Sequence, residues 1–153
     1  VEKILGPILK REKLNYKIST KFTINKYLLE DKKKLLKDLN NQLENSLKSL
    51  KVDRIDNYFF HSGTDVEFFN DDVWDFLYQK KKKGLIKNLC LSLKHDLVKK
   101  NSIKQLYFCE KYKIKKISTV CNLYTKHSLK IVIPFCKKKK LLCMEECLWQ
   151  KAC

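Results

Sequence analysis

Short apolar runs alternate with longer amphipathic ones along nearly the whole chain, and few folds accommodate that rhythm. The short runs occupy residues 16–22, 55–60, 86–91, 117–121 and 141–144. Their lengths suit strands, and their starts lie about 25 to 40 residues apart, which leaves room for one crossover helix each. Several are too uniformly apolar to keep one face in water, as an antiparallel sheet commonly does. Repeated strand–helix units of this kind predict an α/β fold with about five parallel strands.

The intervening segments carry helix signals. Leu35, Leu36, Leu39, Leu43, Leu47 and Leu50 recur at helical spacing, so a helix over 32–51 is expected to bury that stripe against the sheet. Residues 1–11 show helical spacing ahead of the first strand. Thr64 and Glu67 have the spacing of a capping box ahead of Phe69, Val73, Phe76 and Leu77, and Ser102 and Gln105 repeat it ahead of Leu106. A last helix is expected to hold Leu129, Val132, Ile133 and Cys136; Pro134 would bend it unless placed in the first turn.

Lysine runs at 80–83 and 137–140 close two of these helices, where cations complement the negative end of the macrodipole. In a strand–helix barrel that is the face where strands begin, opposite the face that carries active sites. The formal charge is +17, yet Arg11 and Arg54 are the only arginines. Specific phosphate and base readers lean on the planar fork of arginine. With Lys, Asn and Ile abundant and Gly and Pro scarce, compositional bias accounts for the excess, so a solvated basic rim is expected and nucleic acid is not the favoured partner.

No apolar run approaches the roughly 18 to 20 residues that would span a bilayer. The seven cysteines are odd in number, spread through apolar segments and accompanied by no secretory leader, which predicts a reducing, cytoplasmic setting. Cys143, Cys147 and Cys153 lack the repeated Cys-x-x-Cys run of a cluster site, so no metal is expected.

Two polar residues stand at strand ends. Lys21 closes the first predicted strand and His61 the second, and a parallel barrel gathers its catalytic groups at such positions.

The same segments resemble the aldo/keto reductase family. Glu2-x-x-x-Gly6 with Arg11, then Lys17-Ile-Ser-Thr-Lys21, resembles the family's helix leading to a strand that ends in Thr-Lys. Leu43 to Leu50, Asp53-Arg-Ile-Asp56 and Phe59-Phe-His61 resemble its next helix and strand. Lys83 to Lys87 with Leu91-Ser92 resemble its fifth strand, and Asn122-Leu123 with Pro134-Phe-Cys136 its sixth unit. These landmarks occur in the family's order over residues 2–146, with a poor fit at 147–153.

The resemblance implies a single domain over 1–153, forming part of a (β/α)8 barrel without the first strands and the C-terminal portion. It implies NADP(H), with NAD(H) as the alternative, and hydride transfer with a small carbonyl or alcohol substrate. The family's reaction centre is an Asp, Tyr, Lys and His tetrad, in which the Tyr hydroxyl gives its proton to the developing alkoxide and the ammonium lowers the Tyr pKa. Lys21 matches the ammonium and His61 the histidine. Ser92 falls where the family's serine meets the nicotinamide carboxamide, Ser118 where its Gln stands, and Asn122 matches the Asn of its Tyr-Asn pair.

This sequence departs from the pattern at Cys90 (a Gly in the family), Leu93 (an Asn) and Cys121 (the Tyr of the pair). The tetrad Asp and Tyr would precede Val1, so the isolated chain is expected to be inactive. His95 and His127 match no tetrad position and are expected to be structural. Two alternatives stay open: a basic module holding RNA or another polyanion, and a decayed or truncated gene product without activity.

Overall fold

The computed structural model describes residues 1–11, 16–61, 63–94, 104–120 and 127–146. Five strands, β1 (Ser19–Phe22), β2 (Ile55–His61), β3 (Ile86–Ser92), β4 (Lys116–Val120) and β5 (Leu142–Glu146), form one sheet in chain order. Every pairing is parallel, as the uniformly apolar runs predict. The first strand is shorter than the predicted 16–22. Its approach is held instead by Asp56, whose Oδ2 accepts from the Ile18 N–H at 3.0 Å, and by Tyr16, whose hydroxyl donates to the Leu9 carbonyl.

The helices are α1 (Glu2–Arg11), α2 (Lys32–Leu50), α3 (Asp65–Phe68), α4 (Asp71–Lys82), α5 (His127–Lys130) and α6 (Val132–Lys139). Asp31 caps α2 by accepting from the Lys34 N–H. On that helix Leu35, Leu39, Leu43 and Leu50 are buried, while Leu36 and Leu47 flank the stripe half-buried. Each buried leucine contributes about 1.5–3 kcal/mol relative to exposure. No helix among the described residues is long and apolar enough to cross a membrane.

Three helix predictions change, one of them because the last helix, expected to hold Leu129, Val132, Ile133 and Cys136 together, divides at Ile131 into α5 and α6. The capping box of Thr64 and Glu67 is present but starts only the four-residue α3. The Phe68 carbonyl is taken by the Trp74 indole N–H at 2.6 Å, and Asn70, extended and accepting from the Val73 N–H, starts α4 afresh. At the second predicted box Ser102 lies outside the described residues. Gln105 is buried with its amide donating to the Gly63 carbonyl, in a 3-10 helix at Lys104–Phe108. Pro134 stands in the first turn of α6, where its missing N–H costs nothing.

Alternation along the strands sends their side chains to two faces. Phe22, Tyr58 and Phe60 face the helices and join Phe68 and Trp74 in an aromatic core, with the Phe22 and Tyr58 rings 4.8 Å apart and Trp74 stacked on Tyr112 at 5.0 Å. The first family landmark is a packing device on this side. The Glu2 carboxylate accepts from Thr20 at 2.5 Å and Ser46 at 3.0 Å, tying α1 to both β1 and α2. At Gly6 a Cβ would lie 2.1 Å from the Ser49 carbonyl oxygen, so only glycine lets α1 cross α2 this closely.

Candidate active site

The opposite face is built in rows by strand register. Ser19, Asn57 and Asn88 are paired positions on β1, β2 and β3. Asn57 donates to the Ser19 hydroxyl at 2.9 Å, while its Oδ1 accepts from Asn88 at 3.2 Å and from the Lys116 ammonium at 2.7 Å. One step up, Lys21, Phe59, Cys90, Lys116 and Leu142 share a row. The next row, at the strand ends, is His61, Ser92, Ser118 and Met144.

Four sequence-predicted site residues therefore share one face at the ends where the strands finish. Lys21 and His61 are exposed; Ser92 and Ser118 are buried at 3% and 2% exposure. Lys21 sits diagonally below His61 on the neighbouring strand, with the Cα atoms roughly 8 Å apart from strand spacing and rise. Asn122, the fifth, lies outside the described residues, as do His95, Cys147 and Cys153. His127 is the first residue of α5.

The polar floor of Asn57, Asn88 and Lys116 escaped the sequence-based prediction. Four positions back from His61 and Ser92 stand Asn57 and Asn88, and two back from Ser118 stands Lys116, so period-two counting would have found it. Asp56, another family landmark, points to the other side, where it holds Ile18 and lies 3.9 Å from Arg54. Cys90, at the family's glycine position, is fully buried in the row of Lys21, and burial pushes its thiol up to about 12. A thiol held protonated in this way is a poor nucleophile at neutral pH. Among the described residues no group of acids, cysteines or histidines is arranged to hold a metal ion.

Known proteins share this architecture. The glycerol dehydrogenase of Gluconobacter oxydans superposes with a TM-score of 0.74 at 20% identity, over 94% of this chain and 44% of that one. An aldo-keto reductase of Bacillus halodurans gives 0.70 at 19% identity over 94% and 45%. An aldo/keto reductase of Klebsiella pneumoniae, solved with NADP and acetate, gives 0.71 at 15% identity over 95% and 47%. The chain thus spans about half the length of these proteins, and its five strands correspond to part of their barrel. No curated protein sequence matches it significantly. The aldo/keto reductase family model matches residues 1–145, nearly the whole of the described sheet and its helices. The chain belongs to the aldo/keto reductase family.

Proposed function

We propose that this chain supplies the ammonium, imidazole and nicotinamide-contacting side of an NADP(H)-dependent reductase acting on a small carbonyl or alcohol. The observation that carries the proposal is the register that puts Lys21, His61, Ser92 and Ser118 on one face at the strand ends. Strands hydrogen-bonded to neighbours hold such groups more tightly than loops do. The residues present fit the nicotinamide end of the cofactor: two hydroxyls and an imidazole share one row, with no carboxylate among them. Ser92, Ser118 and Asn122 would bind and orient that end. When bound, the cofactor supplies or accepts the hydride.

Lys21 would hold its positive charge beside a phenol and so favour the phenolate, which makes the Tyr a better proton donor and acceptor near neutral pH. His61 would orient the carbonyl oxygen by hydrogen bonding. The family's Tyr and Asp have no counterpart among these 153 residues, so a polypeptide of this sequence alone is expected to show no NADPH consumption with common aldehydes.

The test starts from the source transcript, read through both ends of this segment. An in-frame extension with the Asp and Tyr upstream is expected to give a protein that consumes NADPH, and Lys21→Met should lower its kcat/KM by roughly 10²–10⁴-fold. Stop codons bounding the segment, turnover by the 153-residue polypeptide, or full activity in Lys21→Met would each overturn the assignment.

A further inference from the structure

The two lysine runs lie more than fifty positions apart in the chain, yet the fold brings them to one cleft. The cleft, about 680 Å³, opens between α4, the turn after the Lys104–Phe108 helix, and α6, at the end where β4 and β5 begin. Lys81, Lys113, Lys115, Lys138, Lys139 and Lys140 line it, against a single acid, Glu110. Lysines beside acids do pair: Lys32 meets Asp72 at 2.6 Å and Lys111 meets Asp71 at 2.8 Å. Among the described residues none of the six cleft lysines forms an ion pair, so their mutual repulsion stands uncompensated.

Its walls are aromatic. Tyr78, Tyr107 and Phe135 line it, with Tyr107 edge-on to Phe135 at 5.4 Å and still 74% exposed. Lys113 lies over the Tyr78 ring at 4.4 Å and donates to its hydroxyl at 3.2 Å. That hydrogen bond, with the charges of Lys113, Lys82 and Lys81, lowers the Tyr78 pKa, which registers the positive field of the site.

Two cleft lysines also occupy backbone that favours glycine. Lys113 and Lys140 both have φ of 53°, and Lys51, at the end of α2 and outside the cleft, has 56°. A side chain in that conformation costs roughly 1–2 kcal/mol, and here the cost falls on residues that add charge to the cleft. Clustered cations beside exposed aromatic faces are what a single strand offers work for: phosphates for the lysines and unpaired bases for the rings. Lysine without arginine supplies point charges rather than base-reading forks, which suits binding without sequence preference.

We propose that this cleft binds single-stranded nucleic acid, with phosphates on the lysines and a base against Tyr107. It lies at the opposite end of the sheet from Lys21 and His61, so it is separate from the reductase site. The solvated rim expected from the sequence rested on each run taken alone.

Fluorescence anisotropy of the purified chain with a labelled oligouridine of about twelve nucleotides tests this. Log affinity should fall with log salt at a slope between about −2 and −4, for three to six phosphates. The triple variant Lys138→Glu, Lys139→Glu and Lys140→Glu should weaken binding at least roughly ten-fold. Lys33→Glu, Lys37→Glu and Lys48→Glu, an identical charge change on exposed positions of α2, should weaken it less than about three-fold. Tyr107→Ala, which leaves every cleft lysine in place, should cost about five-fold or more. Equal losses in the two triples, no loss in Tyr107→Ala, no binding at low salt, or equal affinity for a duplex or inorganic tripolyphosphate would each overturn the proposal.

Discussion

Where the strands finish, four polar side chains of three kinds, Lys21, His61, Ser92 and Ser118, sit on adjacent β-strands. Where they begin, six side chains of one kind gather from helix ends and turns. The first arrangement is set by backbone hydrogen bonds, because a one-residue slip would turn every member to the other face. The second is set by how α4 and α6 pack over the sheet, and each lysine there keeps a flexible stem. Rigid placement of a few dissimilar groups suits chemistry on a small molecule. Loose placement of many like charges suits a long, repetitive anion.

The largest expected effect separates the two ends through the polar floor. Replacing Asn57 by Leu removes the partner of Ser19, Asn88 and the Lys116 ammonium at once. Leaving the half-buried Asn88 and Lys116 unpaired should destabilise the protein by about 2–4 kcal/mol, read from the urea midpoint. Oligonucleotide affinity of the folded protein should stay unchanged, since the floor lies on the other side of the sheet from the cleft. A midpoint within about 0.5 kcal/mol of the parent would show that the floor does not hold the strand ends.

The same contrast explains which parts of the molecule could be predicted. The five strands, the leucine stripe of α2 and the placing of Lys21 and His61 near strand ends follow from local periodicity, which the sequence displays directly, whereas strand order and register come from pairing between strands. The break between α3 and α4 depends on the Trp74 indole competing for the Phe68 carbonyl, a contact between side chain and backbone that no period encodes. The cleft depends on residues 81, 113 and 138–140 meeting in space. Glu2, Gly6 and Asp56 were visible as family landmarks, yet their work here is holding α1 and β1 in place rather than chemistry.

A smaller effect of opposite sign is expected in the helix-side core. The Tyr58 hydroxyl is fully buried and has no hydrogen-bond partner among the described residues. Burial raises its pKa, and the charges of Glu2 and Asp38 add to the rise. Tyr58→Phe removes an unsatisfied polar atom at nearly constant volume and should stabilise the protein by about 1 kcal/mol, raising Tm by roughly 3 °C. Its neighbours Asn57 and Phe59 face the other way, so any future activity of the strand-end site should be untouched. A fall in Tm would mean that the hydroxyl has a partner that stabilises the fold.

The smallest effect is the sharpest for the comparison, because one substitution is expected to move the two properties in opposite directions. Lys140 ends α6 with φ of 53° and ψ of 39°, while the Leu141 N–H closes back on the Cys136 carbonyl at 2.9 Å. Glycine is the residue this helix ending favours. Lys140→Gly relieves a left-handed cost of roughly 1–2 kcal/mol but adds the freedom of glycine to the unfolded chain, about 0.5–1 kcal/mol, for a net gain of about 0.5–1 kcal/mol. It also removes one cation from the cleft, so the salt slope for oligouridine should become shallower by about 0.7. A tighter fold with weaker binding would show lysine retained there for the anion at the expense of stability. A more stable protein with unchanged binding would return Lys140 to the solvated rim and confine recognition to the remaining five lysines.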